Sequence, residues 1–474
     1  MTIPRILIAG AQSGSGKTSL SLAVVAALRR RSLRVQTFKV GPDFLDPTYL
    51  AAASGRACYN LDGWMCGRPY VESLFQRAAQ DADLAVIEGV MGLFDGADPC
   101  GQAGSSAEIA GWLKAPVLLV VNAHGMARSF AALVSGFTGF ERIVHIGGVV
   151  ANFCGSETHK AVLEEALASA GLPPLIGAFP RNGLPEMRSR HLGLVTADPS
   201  ENCTPAVLDS FAEAAERHLS LDGLLLVARK APALETSFQN KGNAVSGRIR
   251  LGVARDEAFH FYYQDLFDEL SRRGCAIEWF SPVRGKGLPG GLDGLYLGGG
   301  YPEEFAAGLS ANQSMLDSIR RFAQSGRPVY AECGGLIYLS RSVTTREGNR
   351  FPLLGILPCD TRLLDHKKRL GYVEVVLKQD SLWGGAGEVL RGHEFHYSEQ
   401  LSDPADQRPW TAAYHLRTRN GGCSAAEGFQ RGRILASYVH LHLAGHPRAL
   451  DRFIEVCASA RTDNPPYASK ETSA

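Results

Sequence analysis

No apolar run in this 474-residue sequence approaches the roughly 18 residues that a membrane-spanning helix requires. Met1–Gly10 is too short, and too soon interrupted by glycine, to be a secretory signal, so a cytoplasmic location is expected. Neither sign of charge is in excess. Lys and Arg number 49 against 48 Asp and Glu, a net charge of +1 that leaves no basic field to attract a polyanion. Nucleic acid and membrane are therefore not expected partners. The ten cysteines include no Cys-x-x-Cys pair, which excludes a zinc ribbon, and a chain of this length needs no disulfide scaffold. No internal repeat is visible. Glycine, by contrast, is plentiful, with 52 residues, many placed just after apolar strands. That is the usage of an α/β enzyme whose loops approach ligands closely.

The pattern predicts two α/β halves. In the first, short apolar runs at Ile3–Ala9, Val35–Val40, Leu84–Ile87, Val117–Val121 and Gly148–Asn152 read as buried strands, with helical stretches between them, the first at Ser19–Arg30. Such alternation implies right-handed crossovers and a parallel sheet. The pattern lapses over the polar, turn-rich segment 229–247, read as a linker between an ATP-binding domain (1–228) and a second domain (248–460). Alternation resumes with strands at Arg250–Ala254, Ala276–Phe280, Gly294–Leu297 and Pro328–Ala331. After Phe351 the signal turns to β, at Tyr372–Leu377, His393–Tyr397, Thr411–Leu416 and Ile434–Val439. Residues 461–474 read as a disordered tail. The fold class expected is α/β, with two doubly wound domains: a parallel sheet of P-loop type, then a mixed sheet.

Residues 10–18 read Gly-Ala-Gln-Ser-Gly-Ser-Gly-Lys-Thr, between a strand and a helix. Backbone N–H groups and the helix N-terminus converge there on an anion. Gly14, Ser15 and Gly16 form the phosphate wrap, Lys17 supplies a cation for the β- and γ-phosphates, and Thr18 a hydroxyl for Mg²⁺. The first glycine falls at Gly10, one residue before its usual place, which Ala11 occupies. Leu84–Ile87 runs into Glu88, an acid at the carboxyl end of a strand that can hold Mg²⁺ directly or through water. Gly41-Pro-Asp43-Phe-Leu-Asp46-Pro adds Asp43 as a further metal ligand, with Asp46 or Asp95 facing substrate; Asp beside Pro and Gly is also ordinary turn chemistry. Asn152, at a strand end, suits an adenine edge, though a polar strand end without a ligand reads the same way.

The second constellation is Ala331-Glu-Cys333-Gly-Gly, where a strand runs straight into a turn and a helix. This is the arrangement of a nucleophile elbow, with Cys333 presented as a thiolate and Gly334 able to lend an N–H to an oxyanion. The base must come from far along the chain. His440 and His442 fall on one face of the same run and spacing does not choose between them, while His393 and His396 are rivals. A metal site built from these four finds no helix-borne His-x-x-x-His pair in support. Gly298-Gly299-Gly300-Tyr-Pro-Glu303 follows a strand in the same half, so Gly299 and Gly300 suit an oxyanion hole or a clasp for glutamine, or a sharp loop needing positive φ.

A triphosphate site and a thiolate site are joined most simply by amide synthesis from glutamine: ATP activates a carboxylate, and the thiolate releases ammonia from glutamine. Because water competes for the acyl phosphate, an enclosed ammonia passage is expected. The motifs above, with Val253-Ala-Arg-Asp-Glu-Ala-Phe and Ser437-Tyr-Val-His, resemble those of the cobyrinic acid a,c-diamide synthases and their relatives that amidate hydrogenobyrinic acid or sirohydrochlorin-type tetrapyrroles. The resemblance covers nearly the whole chain. Its N-terminal half looks like a dethiobiotin-synthetase-type ATP domain and its C-terminal half like a class I glutamine amidotransferase.

The resemblance implies ATP, Mg²⁺ and glutamine as co-substrates and amidation of the a and c acetates of a corrin-type macrocycle. It implies Cys333 as nucleophile and selects His440 over His442. It also implies Mg²⁺ at Thr18, Asp43 and Glu88, and substrate contacts from Phe44, Leu45, Asp46 and Asp95. There are three departures from the pattern. Ala331 stands where many amidotransferases have Gly, and Asn122 where many relatives have Asp. Leu441 and His442 stand where a third, acidic member would follow the histidine, so a dyad is expected rather than a triad. The partner expected is a small tetrapyrrole polycarboxylate, and a homodimer is compatible with the sequence. The alternatives are the same chemistry on sirohaem or Ni-sirohydrochlorin, and a P-loop partitioning ATPase in which Cys333 would have no role.

Overall fold

The computed structural model describes residues 3–463 apart from 188, 191–192, 195, 199, 236–248, 367 and 419–422. The chain divides into two units, Met1–Gln239 and Asn240–Ala474.

In the first unit, β1 (Arg5–Gly10), β2 (Val35–Val40), β3 (Tyr59–Leu61), β4 (Leu84–Gly92), β5 (Val117–Asn122), β6 (Ile146–Cys154) and β7 (Leu175–Pro180) form one sheet in the order β3-β2-β4-β1-β5-β6-β7. Every pairing is parallel. The apolar runs make this sheet because both of its faces are covered. Successive side chains of β1 alternate: Ile6 and Ile8 join one core with the helix Lys17–Arg30, while Leu7 and Ala9 join the core on the other face. A Leu→Ala change at such a position costs about 2–5 kcal/mol. The strand order reverses around β1, so the carboxyl ends of β1, β2 and β4 open a crevice, where α/β sheets bind ligands.

The start of the segment read as a linker belongs to this unit. Arg229 ends the helix Leu221–Arg229, Leu234 is buried in the core, and the Pro232 carbonyl accepts from the fully buried Arg5 guanidinium at 2.5 Å. Residues 236–247 lie outside the described residues.

The second unit is built on a ten-stranded mixed sheet. Its parallel part runs Ala276–Phe280, Arg250–Ala254, Gly294–Leu297, Val329–Glu332, Ile434–Ser437. Antiparallel strands Cys423–Arg431, Thr411–Thr418, Arg369–Leu377, Val389–His396 and His440–Leu441 continue it. Only Tyr438 and Val439 separate Ile434–Ser437 from His440–Leu441, yet these strands lie on opposite sides of the antiparallel part. The antiparallel half therefore curls back over the end of the parallel half. The expected strand Ile434–Val439 thus ends at Ser437, a separate strand begins at His440 and ends at Leu441, and His440 and His442 do not share one strand face. His393–Tyr397 is likewise corrected: the strand ends at His396, and Ser398–Gln400 joins a separate four-stranded sheet. The helix Pro447–Asp463 continues past Arg461, where the tail was expected to begin, and residues 464–474 lie outside the described residues.

Candidate functional site

The loop after β1 wraps as its glycines require. Gly14 and Gly16 have φ of 74° and 92°, a region that favours glycine. Gly10 is explained by the fold of the loop: a Cβ there would lie 2.2 Å from the Ser15 Oγ. Asn152 is buried at the end of β6, donates to the Ser15 carbonyl at 2.9 Å and accepts from the Phe153 N–H at 3.0 Å. It braces the phosphate loop from behind. Lys17 is buried at the helix start, and burial, with the charge of Lys39, lowers its pKa.

Below the loop, the ends of β2 and β4 bring acids together. Thr18 donates to Glu88 Oε1 at 2.7 Å and to Asp46 Oδ2 at 3.3 Å. Sequence reasoning missed the residue at the centre, Lys39. Its ammonium donates to Asp46 at 2.6 Å, to Glu88 at 2.8 Å and to the Gly89 carbonyl at 3.2 Å, with Asp43 Oδ2 4.0 Å away. A lysine inside the wholly buried strand Val-Gln-Thr-Phe-Lys-Val was the available signal. Burial pushes the Glu88 carboxyl up, and Lys39 only partly offsets this; at Asp46 burial also opposes the charge, but Lys39 prevails and holds its pKa below the usual value. Asp43 spends Oδ1 on the N–H groups of Leu45 and Asp46, at 2.8 and 3.0 Å, and so shapes the loop that carries Phe44 and Leu45. Buried Asn60, also missed, clamps the same loop through the carbonyls of Gly41 and Asp43. Asp95 accepts from the Gly92 N–H at 2.8 Å, and its charge reaches Lys17.

This donor set fits a hard divalent cation. Glu88 Oε2 is buried without a hydrogen-bond partner, beside a threonine hydroxyl and two aspartates. The described residues hold no cluster of three or more His, Cys, Asp or Glu ligands. Mg²⁺ needs none, because water and substrate phosphates complete its shell around one or two carboxylates.

In the second unit, Val329–Glu332 ends at Cys333, whose φ of 49° and ψ of −98° form the elbow before the helix Gly334–Leu339. Its N–H donates to the Ser437 carbonyl at 2.7 Å. Gly335 must be glycine here: a Cβ would lie 2.1 Å from the Leu297 carbonyl. The two glycine runs meet at this point. A Cβ on Gly334 would come within 3.0 Å of the Gly300 nitrogen, and one on Gly299 within 2.5 Å of His440 Cε1. Cys333 is 5% exposed, and His440 lies beside it. Burial opposes the imidazolium, but the sulfur and Glu332 outweigh that and push the His440 pKa up to about 10. Nδ1 of His440 lies 2.9 Å from Glu332 Oε1.

The other three candidate histidines have contacts of their own. His442 Nε2 lies 2.8 Å from Asp265 Oδ2, and its ring stacks on Tyr263. His393 stacks on His440 with centroids 4.9 Å apart, and burial, then the charges of His440 and His442, lower its pKa. His396 bonds the Ser398 carbonyl through Nδ1 and stacks on Tyr438.

A parallel nucleotide-binding sheet and a mixed sheet carrying a cysteine elbow define a glutamine amidotransferase fused to a nucleotide-binding domain. Two family comparisons agree with this class. Residues 6–194 match the CobQ/CobB/MinD/ParA nucleotide binding domain, and residues 250–448 match the CobB/CobQ-like glutamine amidotransferase domain. A cobyrinate a,c-diamide synthase of Syntrophotalea carbinolica is 53% identical over 96% of this chain and 99% of its own. Proteins of the same name from Leptospira interrogans (strain Fiocruz L1-130) and Archaeoglobus fulgidus are 41% and 38% identical, each over 96% of this chain and 98% of its own. The chain belongs to the cobyrinate a,c-diamide synthases, glutamine-dependent carbon–nitrogen ligases.

Proposed function

We propose that this enzyme amidates the a and c acetate carboxylates of cobyrinate, or of hydrogenobyrinate, with ATP and glutamine. The observation that carries the reading is the pairing, in one chain, of a phosphate loop over an acid cluster with a thiol held against an imidazole. Cys333 gives its proton to His440 and attacks the glutamine amide carbon. The C–N bond breaks, His440 returns the proton to the leaving ammonia, and water hydrolyses the thioester to glutamate. Gly299, Gly300 and Gly334 border the place where the oxyanion forms.

In the first unit the loop 14–18 holds the triphosphate, and the remaining amide hydrogen of Asn152 is directed to the adenine. Thr18, Glu88 and Asp43 would hold Mg²⁺, which supplies charge neutralisation along the phosphates. Lys17 stabilises charge on the γ-phosphoryl group as a substrate carboxylate oxygen displaces ADP. Ammonia then attacks the acyl carbon and phosphate leaves. Phe44, Leu45, Asp46 and Asp95 border the macrocycle.

The test is mass spectrometry of products after incubation of the full chain with ATP, Mg²⁺, glutamine and either cobyrinate, hydrogenobyrinate, sirohaem or Ni-sirohydrochlorin. Two amides on cobyrinate or hydrogenobyrinate are expected. Amidation of a sirohydrochlorin-type macrocycle alone would overturn the substrate assignment. Cys333→Ala is expected to lose glutamine-dependent amidation and to keep activity at high ammonium; loss of both would count against the division of labour.

A further inference from the structure

The residue two positions after His440, where a third acidic member was sought, is His442. It already has a partner: both it and Asp265 have fully buried side chains, and the pair is closed at 2.8 Å. His442 is not an acid and is not available to orient His440. The acid that does contact His440 comes from the opposite direction in sequence. Glu332 immediately precedes Cys333, and its side chain is 2% exposed against 1% for His440.

Glu332 holds both the ring and the main chain of the histidine segment. Oε1 meets His440 Nδ1 at 2.9 Å, while Oε2 accepts from the Leu441 N–H at 3.3 Å and from the Tyr330 hydroxyl at 2.8 Å. The Tyr296 hydroxyl bonds the same carboxylate. A buried carboxylate satisfied on both oxygens keeps one orientation. The elbow explains how adjacent residues serve one imidazole. In an extended strand, side chains 332 and 333 would point to opposite faces. The positive φ of Cys333 breaks that alternation, and the pairing of Glu332 with Ser437 fixes the place from which both side chains depart.

We propose that Glu332 is the positioning acid of the glutamine-hydrolysing centre: it accepts the His440 Nδ1–H, fixes the tautomer that presents Nε2 to Cys333, and stabilises the imidazolium formed when the thiol gives up its proton. The inference rests on the amidotransferase reading of Cys333. The titratable groups that face this pair are Cys333 and His393 against the ring, and Tyr262, Tyr296, Tyr330 and Tyr414 around the carboxylate. The tyrosine pKa values are all raised by burial, so these phenols stay neutral near pH 7, and His393 is held neutral. Glu332 is thus the acid that His440 meets at Nδ1.

Glu332→Gln keeps the shape and removes the charge, and its amide can turn to donate to Nδ1 and so select the wrong tautomer. The full chain, with ATP, Mg²⁺ and cobyrinate present, is assayed for glutamine hydrolysis and for amidation at high ammonium. Glu332→Gln is expected to lower glutamine turnover about a hundredfold or more and to leave ammonium-driven amidation unchanged. Alkylation of Cys333 by iodoacetamide, followed by mass spectrometry of its peptide, is expected to lose half its rate at a pH about one unit higher than in the wild type. Glu332→Asp is expected to recover part of both. Wild-type turnover and an unshifted alkylation profile in Glu332→Gln would overturn the proposal. If the variants do not fold, ¹⁵N-histidine NMR of the wild-type chain decides, with His440 assigned by difference against His440→Gln: a protonated Nδ1 is expected near pH 7, and an unprotonated Nδ1 would overturn the proposal. A Cys333→Ala variant that still amidates from glutamine would instead refute the amidotransferase reading itself.

Discussion

Lys39 shows how much one side chain can hold. Its ammonium is the common partner of Asp46 and Glu88, both buried, and removing it leaves uncompensated negative charge in a low-dielectric site. Lys39→Ala is expected to cost about 3–5 kcal/mol, seen as a fall of roughly 10 °C in the melting temperature of the first unit by calorimetry. An unchanged melting temperature would mean that the acids find another counter-charge. His440 gives a pH-dependent prediction. Its pKa is raised in the fold, so the stability it contributes is whole below the ordinary histidine value of about 6.5 and is lost as pH rises toward about 10. Cys333→Ala removes one source of that shift, so the melting temperatures of variant and wild type should differ more at pH 7 than at pH 10. Lys17, Thr18, Glu88 and Cys333 were readable as candidates because each sits in a strand–loop–helix segment whose geometry a few contiguous residues set. Lys39 lies outside any such segment, and Glu332, though next to Cys333 in the elbow, has no local feature that assigns it a partner. Each is a charge inside a buried strand, and its meaning depends on what packs across from it.

At the scale of elements, the phosphate loop and the cysteine elbow fail differently when a methyl group is added. Gly16→Ala places a side chain at φ 92° and against the Asn152 amide, where a Cβ would meet nitrogen at 2.2 Å. Amidation from glutamine and from ammonium should both vanish, and ATP affinity measured by calorimetry should fall at least tenfold. Gly335→Ala drives a Cβ into the Leu297 carbonyl and displaces the helix Gly334–Leu339. Glutamine-dependent amidation should be lost while ammonium-driven amidation survives, and equal loss of both would contradict the assignment of separate tasks to the two loops. The strands themselves were legible wherever apolar residues run on: Val35–Val40, Arg250–Ala254, Ala276–Phe280 and Gly294–Leu297 have their expected limits. The errors fall near Tyr438, where the chain crosses from one side of the antiparallel strands to the other within one sheet, and near Tyr397, where it leaves that sheet for another.

At the scale of the whole chain, amidation of two carboxylates through acyl phosphates predicts two ATP hydrolysed and two glutamates formed per doubly amidated product, measured by coupled assay alongside mass spectrometry. One ATP per diamide would contradict activation of each carboxylate in turn. No helix among the described residues is long and apolar enough to cross a membrane. The order of residues alone settled the α/β class, the phosphate loop and the cysteine elbow, because burial on both faces of a parallel sheet writes itself into continuous apolar runs and because glycines mark where backbone must turn or be approached. Folding in three dimensions chose the acid for His440, the partner of His442 and the lysine among the carboxylates. His440 and Glu332 stand 108 positions apart, and such a meeting is set by sheet order and by the curl of the antiparallel strands, which no local spacing encodes.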